Sequence, residues 1–231
     1  MPSHETIWLL AASDAWLRRH LEPNRILNSK ELARAERFVV EAPRTQFAYA
    51  RAFLRTALGE ALEVSPAQLS LGTGPHGKPF VAGKHWQSGL LFNLSHCDGL
   101  TVLVASHNIM VGVDAEQPDR DLDRYRFAAR FFHPFEQASL AGLSEDHHRA
   151  KFFRIWTQKE AWLKAIGTGL DVPLTSFAVS GDDGAEAALR SWEGNQASLD
   201  AWRLCSTQIE GCPVTVCAEA GNWSLKTRLL L

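Results

Sequence analysis

The chain has 231 residues, of which 45% are hydrophobic, so it can bury a sizeable core as one large domain or two small ones. Charged residues make up 22% of the chain and the formal net charge is only -2, a balance that favours neither nucleic-acid binding nor a membrane-surface role. The four cysteines form no CxxC pair, which argues against a zinc site and indicates free thiols in a reducing compartment.

The amino-terminal apolar run TIWLLAA follows no basic segment and is too short for a secretory signal. No apolar stretch approaches the ~20 residues that a bilayer span needs. We therefore expect a cytoplasmic protein with no membrane partner.

The first half of the sequence predicts several helices and strands. TIWLLAA reads as the first strand, and helices follow over residues 14–21, 29–40 and 44–62, the last two separated by a break at Pro43. SPAQLSLGTGPHGKPFV predicts a strand, a glycine-rich turn and a strand, and FNLSHC ends another strand. Two apolar runs, residues 101–106 and 109–114, predict a hairpin with its turn at His107-Asn108.

The second half of the sequence also predicts several helices and strands. Helices are expected over residues 123–131, 134–142 and 145–166, the last closed by Gly167, and strands at SFAVSG, AWRLCS, PVTVCAE and WSLKTRLL. The pattern favours an α+β protein of two similar tandem halves, each a long helix on a small, mainly antiparallel sheet. We place the boundary between residues 1–107 and 108–231.

Two carboxylates share one face of the predicted strand GVDAE. Asp114 and Glu116 are two residues apart, so both side chains point the same way, and Gly112 leaves room for another backbone to come close. Two carboxylates about 6 Å apart repel by roughly 3 kcal/mol at an effective dielectric constant near 20. The pair therefore either faces water at a strand end or holds a cation.

Charged residues also interrupt the apolar part of the helix FFRIWTQKEAWLKAIGTGL. Lys159, Glu160 and Lys164 lie close to two tryptophans, although an unpaired buried charge is costly. Glu160 and Lys164 are one turn apart and can form a simple surface ion pair. If Glu160 instead faces Asp114 and Glu116, three hard oxygen ligands suit Mg²⁺.

Further basic and polar side chains are candidates for holding phosphate. Four arginines lie on the predicted helices, where their side chains either extend towards water or bind phosphate bidentately. The other candidates lie at a predicted turn and at the end of a predicted strand. All these candidates are Arg34, Arg44, Arg51 and Arg55, then Lys78 in GPHGKP, and Asn93, Ser95 and His96 in FNLSHC. The sequence has no GxSxG, Walker A or GxGxxG motif, which argues against a serine hydrolase and against P-loop or Rossmann nucleotide binding.

The motifs GKP, FNLSH, GVDAE and WTQKEAWLKAIGTGL, in this order and at these separations, resemble those of the Sfp-type 4′-phosphopantetheinyl transferases. The resemblance covers residues 73–170 most specifically. It implies a monomer of two similar halves that binds coenzyme A between them. It also implies Mg²⁺-dependent transfer of the phosphopantetheine arm to a serine of an apo acyl or peptidyl carrier protein, with release of 3′,5′-ADP. Such carriers serve fatty acid, polyketide and nonribosomal peptide synthesis.

The resemblance also implies roles for individual residues. Residues 1–107 would grip the nucleotide of the coenzyme, and residues 108–231 would supply most metal and catalytic groups. Asp114, Glu116 and Glu160 would bind the metal, with Glu160 also the base for the carrier serine and Lys164 neutralising the phosphates. The expected coenzyme contacts are Arg34, Arg44, Arg51, Lys78, Asn93, Ser95, His96 and Lys159.

Two other functions remain open from the sequence. One is a coenzyme A or carrier-protein binding module without catalytic activity. The other is a Mg²⁺-dependent nucleotidyl or phosphoryl transferase that acts on small molecules. For a carrier with acidic helices, exposed basic side chains such as Arg124, Arg126 and Arg130 are candidates for the docking surface.

Overall fold

The computed structural model of the protein describes residues 4–183, 187–192 and 200–231. Its α-helices are α1 (Asp14–His20), α2 (Pro23–Ile26), α3 (Ser29–Glu36), α4 (Glu41–Ala61), α5 (Arg124–Phe131), α6 (Pro134–Leu140) and α7 (Glu145–Ile166). Its strands are β1 (Glu5–Ser13), β2 (Leu71–Thr73), β3 (Pro79–Val81), β4 (Leu90–Cys97), β5 (Leu100–His107), β6 (Val111–Ala115), β7 (Phe177–Val179), β8 (Leu189–Trp192), β9 (Trp202–Ile209), β10 (Cys212–Glu219) and β11 (Trp223–Leu230).

Two sheets form the centre of the molecule. The first has the strand order β11-β1-β5-β4, and the second has the order β6-β10-β9. All neighbouring strands in them are antiparallel except β1 and β11, which run parallel. The strand pairs β2-β3 and β7-β8 form two smaller sheets.

The alternation of side chains along β5 explains the layers. Val102 and Val104 belong to the apolar cluster between the two sheets, whereas Leu103 and Ala105 belong to the cluster under α4. On the other side, α7 covers the outer face of the second sheet, where Cys217 of β10 joins its apolar cluster. The order of layers is therefore helix, sheet, sheet, helix.

This architecture confirms the predicted α+β fold, with a long helix on a small sheet in each half. The carboxyl-terminal strand β11 joins the sheet of the first half, beside β1. The boundary between residues 107 and 108 stays a prediction. In the described ranges, no helix is long and apolar enough to cross a membrane.

The predicted hairpin of β5 and β6 is wrong. The two strands follow one another through a turn in which Asn108 has a positive φ of 56°, but β5 pairs with β1 and β4, whereas β6 pairs with β10. The chain crosses here from one sheet to the other. The hairpin of this region is instead β4-β5, with its turn at Asp98-Gly99, where Gly99 has φ of 84°.

The boundaries of two predicted helices also change. The helix α4 begins at Glu41, so Pro43 lies in its first turn instead of before it. Proline is tolerated there because the first N–H groups of a helix have no partner within the helix. The preceding α3 ends at Glu36, and Val39 in the connecting loop is fully exposed.

Candidate active site

Gly112 allows β6 to lie directly against α7. A β-carbon built on Gly112 would lie 2.1 Å from the carbonyl oxygen of Ala161 and 2.4 Å from the backbone nitrogen of Ala165. Only a glycine fits at such a backbone contact. Because side chains alternate along the strand, Asp114 shares the helix-facing side with Gly112, while Val111 and Val113 pack between the sheets.

Asp114, Ser95 and Lys164 form one hydrogen-bonded cluster. The Lys164 ammonium lies 2.6 Å from Asp114 Oδ1 and donates to Ser95 Oγ at 2.9 Å. Ser95 Oγ in turn donates to Asp114 Oδ1 at 2.9 Å. Asp114 is buried, and its other oxygen, Oδ2, has no hydrogen-bond partner among the described residues. The cluster thus leaves one buried carboxylate oxygen available to a ligand.

Glu116 follows β6 and is held by two donors. Trp156 Nε1 of α7 donates to Glu116 Oε1 at 2.8 Å, and Arg120 donates to Oε2 at 2.9 Å. Burial, followed by repulsion from Asp114, nevertheless raises the pKa of the Glu116 carboxyl. The indole and guanidinium groups fix the direction in which this carboxylate points.

Glu160 lies on the same helix, one turn before Lys164. Burial, together with the negative charge of Asp114, raises the pKa of Glu160 from 4.5 to about 7. A carboxyl group with such a pKa can both accept and release a proton near neutral pH. The role of Glu160 as a base stays a prediction.

These side chains line one cleft of about 320 Å³, whose walls are formed by Leu94, Ser95, His96, Asp114, Ala115, Glu116, Trp156, Glu160 and Lys164. His96 is exposed at its rim, where partial desolvation and the Lys164 ammonium lower the pKa of the imidazole, so the ring is neutral at pH 7. The predicted convergence of β6 and α7 thus brings six of the predicted site residues together.

No group of three or more His, Cys, Asp or Glu side chains in the described part of the chain is arranged to hold a metal ion. Asp114, Glu116 and Glu160 share the cleft, but the Lys164 ammonium already occupies one oxygen of Asp114. The metal site built from these three carboxylates stays a prediction.

Lys78 lies outside the residues that line the cleft. Its ammonium donates to the backbone carbonyls of Val111 at 3.1 Å, Lys164 at 2.6 Å and Ala165 at 3.0 Å. Burial lowers the pKa of Lys78 to about 8. These three bonds tie the β2-β3 turn to β6 and to the carboxyl-terminal end of α7. Lys78 therefore has three partners within the protein, and its contact with phosphate stays a prediction.

Lys159 is also turned away from the cleft. Its side chain is 1% exposed, and its ammonium lies 2.7 Å and 2.9 Å from the two oxygens of Glu136 on α6 and 2.6 Å from the Phe177 carbonyl oxygen. Glu136, in turn, accepts from the backbone N–H groups of Val179 and His133. The charge of Lys159 is therefore compensated by Glu136, which argues against the expected contact with the coenzyme.

The remaining predicted contacts lie in the first half. Asn93 is buried and accepts from the Val113 backbone N–H at 2.9 Å, so it joins the edges of the two sheets. Arg51 binds Glu31 at 2.6 Å, and the buried Arg55 binds the same carboxylate at 2.6 Å. These side chains have structural partners, which argues against the expected role in phosphate binding for Asn93 and Arg51.

Arg34 and Arg44 remain candidates for an anion. Both are exposed, and the Arg34 guanidinium lies over the Phe47 ring, 5.1 Å from its centroid. Phe47 is one turn from Arg44 on α4. Neither arginine is among the residues that line the cleft of Asp114 and Glu160.

Sequence reasoning missed Arg120 as a partner of Glu116, and it noted Trp156 only as a flanking aromatic residue. Arg120 ends the Gln-Pro-Asp-Arg turn that follows Glu116, and the Pro-Asp dipeptide was an available signal for that turn. No such signal exists for Trp156, because its contact with Glu116 joins residues 40 positions apart.

Comparisons with known proteins give one consistent result. A family model described as 4′-phosphopantetheinyl transferase, N-terminal, matches residues 16–108, and one described as 4′-phosphopantetheinyl transferase superfamily matches residues 110–217. The 4′-phosphopantetheinyl transferase HetI of Nostoc sp. is 41% identical over 146 residues, which are 62% of this chain and 61% of the relative.

Two further relatives have names of the same kind. The phosphopantetheinyl transferase of Thraustochytrium sp. is 32% identical over 204 residues, 84% of this chain and 70% of the relative. The 4′-phosphopantetheinyl transferase Sfp of Bacillus subtilis is 28% identical over 126 residues, 54% of each chain. The chain spans about three fifths of the length of some relatives, 61% for HetI and 58% for a Synechocystis protein.

Proposed function

The chain belongs to the 4′-phosphopantetheinyl transferase superfamily, and from this membership we propose that it transfers the 4′-phosphopantetheine arm of coenzyme A to a serine of an apo acyl or peptidyl carrier protein. The observation that supports this reaction best is the cleft between β6 and α7. There Asp114 and Glu116 of one element meet Glu160 and Lys164 of the other.

The first requirement of the reaction is a proton acceptor for the carrier serine. Glu160 is the candidate for this role, because its carboxylate lines the cleft and, without a bound metal ion, burial and the charge of Asp114 raise its pKa to about 7. It lines an open cleft, so a serine hydroxyl presented by a carrier could reach it directly or through a water molecule.

The second requirement is charge compensation at the phosphates. Lys164 is 28% exposed and its ammonium lies between Asp114 and Ser95. A phosphate that enters the cleft competes with Asp114 for this ammonium. The Ser95 hydroxyl and the neutral His96 ring are further donors to phosphate oxygens at the same wall of the cleft.

Mg²⁺ fits the chemistry of the donor set, since Asp114, Glu116 and Glu160 offer hard carboxylate oxygens and Asp114 Oδ2 is buried without a partner in the described residues. When bound, Mg²⁺ would neutralise charge on the pyrophosphate of coenzyme A and stabilise the departing 3′,5′-ADP. Trp156 and Arg120 hold Glu116 in place for this purpose.

For the carrier, the face of α5 beside the cleft is the candidate docking surface. Phe127 of α5 packs on Trp156, with ring centroids 4.4 Å apart, so α5 adjoins the cleft wall. Arg126 and Arg130 are exposed on α5, whereas Arg124 is engaged by Glu145. Acidic helices of a carrier would complement the two exposed arginines.

The test incubates the protein with coenzyme A, Mg²⁺ and an apo carrier and weighs the carrier by mass spectrometry. We expect a mass gain of one phosphopantetheine on the carrier serine, and equimolar 3′,5′-ADP. Asp114→Asn should abolish the gain, whereas Asp119→Asn, an exposed carboxylate outside the cleft, should not. Tight binding of coenzyme A or carrier without transfer would favour a binding module instead, and turnover of ATP without a carrier would favour a small-molecule transferase.

A further inference from the structure

Two cysteines from different sheets are in direct contact. Cys97 ends β4 and Cys212 begins β10, and their sulfur atoms lie 3.6 Å apart although the residues are 115 positions apart in the sequence. Both side chains are largely buried, with 9% of Cys97 and 2% of Cys212 exposed. The contact therefore joins the sheet that contains β4 to the sheet that contains β10.

We propose that Cys97 and Cys212 are a redox-sensitive thiol pair, which a hydroperoxide oxidises to a reversible disulfide between the two sheets. The formation of this bond does not depend on the transferase activity. It requires the two sulfur atoms to approach from 3.6 Å to the bonding distance of about 2.05 Å, with a Cβ–S–S–Cβ dihedral of about 90°.

The surroundings of both cysteines favour this approach. Each residue lies at a strand end beside a tight turn, since Cys97 pairs with Leu100 and Cys212 pairs with Ile209. The turns contain Gly99 and Gly211, whose φ angles are 84° and 76°. A β-carbon built on either glycine would contact nothing within 4 Å. The backbone next to each thiol can therefore shift without disturbing the centre of a sheet.

The chemistry distinguishes Cys212 from the other three cysteines. The hydrogen bond between the two thiols lowers the pKa of Cys212 and raises the pKa of Cys97, and burial raises the pKa of Cys205 and Cys217. Thiolates are the species that react with peroxides. Cys212 Sγ also lies 3.8 Å from the side-chain oxygen of Gln117, a half-buried residue.

The reaction balances with the hydroperoxide as the only co-reactant. The Cys212 thiolate attacks one oxygen of hydrogen peroxide, the O–O bond breaks, and the released hydroxide takes up the proton that Cys212 gave up, which leaves water and a sulfenic acid on Cys212; an organic hydroperoxide would release an alcohol in place of this water. The Cys97 sulfur then attacks the Cys212 sulfur, the S–O bond breaks, and the departing hydroxide takes the Cys97 proton as a second water. The protein loses two hydrogen atoms in total.

The bond would connect the two walls of the cleft. His96 immediately precedes Cys97, and the carbonyl of Pro213, next to Cys212, accepts from the backbone N–H of Glu116 at 3.2 Å. A displacement of these segments by about 1 Å is enough to lower turnover by at least tenfold. This consequence, unlike the bond itself, rests on the proposed function.

The experiment treats the native protein with hydrogen peroxide, blocks the remaining thiols by alkylation, and identifies cross-linked peptides by mass spectrometry. We expect one pair of peptides joined through Cys97 and Cys212, absent after dithiothreitol. The matched control Cys205→Ser should still form the bond, whereas Cys212→Ser should not. Transfer to the carrier should fall at least about tenfold on oxidation and return with dithiothreitol.

Alkylation of all four thiols after peroxide treatment would overturn the proposal, as would sulfinic acids on single cysteines or a bond through Cys205. If the bond forms without loss of turnover, its link to the cleft is wrong. If the reduced protein transfers nothing to any carrier, the proposed function fails, while the cross-linking result still decides whether the thiol pair exists.

Discussion

Replacing Gly112 by alanine tests whether the contact between β6 and α7 builds the cleft. The added methyl carbon would lie 2.1 Å from the Ala161 carbonyl oxygen and 2.4 Å from the Ala165 nitrogen. Both neighbours are backbone atoms inside a helix, so neither can turn aside. The strand and the helix must separate by about 1 Å to restore an ordinary contact distance.

Two effects follow from this separation. Overpacking of a closely fitted interior typically costs 1–3 kcal/mol, so the free energy of unfolding should fall by about 2 kcal/mol. A misplacement of about 1 Å between Asp114 and the groups on α7 should lower turnover by roughly 100-fold. The apparent affinity for the carrier should change less, since the exposed arginines of α5 do not move with β6.

The assays are urea unfolding followed by tryptophan fluorescence, and transfer of phosphopantetheine to a carrier under saturating coenzyme A. Gly221→Ala is the matched control, because a β-carbon there would meet its nearest atom at an ordinary 3.7 Å. This control should be as stable and as active as the wild type. Wild-type turnover in Gly112→Ala would refute the reasoning that the spacing of β6 and α7 sets the site.

Other substitutions test the remaining assignments. Lys159→Met should cost about 3–5 kcal/mol of unfolding free energy by leaving Glu136 buried and unpaired. The double variant Lys159→Met/Glu136→Leu should recover most of the lost unfolding free energy, and its KM for coenzyme A should equal that of the wild type. A large rise in this KM would support Lys159 as a coenzyme contact. Lys78→Met should cost about 1–3 kcal/mol, measured by urea unfolding, because three carbonyls lose their donor; unchanged stability would contradict this. Because the folded-state pKa of Glu160 is raised from 4.5 to about 7, wild-type stability should fall as pH rises through this interval. With a chelator present, the free energy of unfolding of Glu160→Gln should therefore equal that of the wild type below pH 4.5 and exceed it by at most about 3 kcal/mol above pH 7. A difference in this free energy that does not depend on pH would count against the raised pKa of Glu160.

The fold class and most helices could be predicted from periodicity, because the spacing of apolar residues determines which side of an element is buried. Periodicity does not say which element covers that side. The strand β6 shows the difference. Its alternation correctly placed Gly112, Asp114 and Glu116 on one face, but its hairpin pairing with β5 was wrong. The Asp98-Gly99 dipeptide was the stronger turn signal in this region.

Partners that are distant in the sequence explain the other differences. Glu136 lies 23 residues before Lys159 and on another helix, so no local pattern connects them. Lys78 reaches carbonyls 33 to 87 residues away, and those acceptors belong to the backbone, which has no sequence signature. A motif can therefore identify a charged residue without identifying what compensates its charge.

The three lysines that were assigned to the coenzyme or its phosphates differ in their burial and in their partners within the protein. Lys159 is 1% exposed, and its charge is compensated by the Glu136 carboxylate at 2.7 Å. Lys78 is satisfied by three carbonyls of β6 and α7. Lys164 differs, because its side chain stays 28% exposed in an open cleft and its partner Asp114 keeps a second oxygen without a partner among the described residues. The Lys164 ammonium is therefore accessible to an incoming phosphate, which is the property that a group involved in transfer requires.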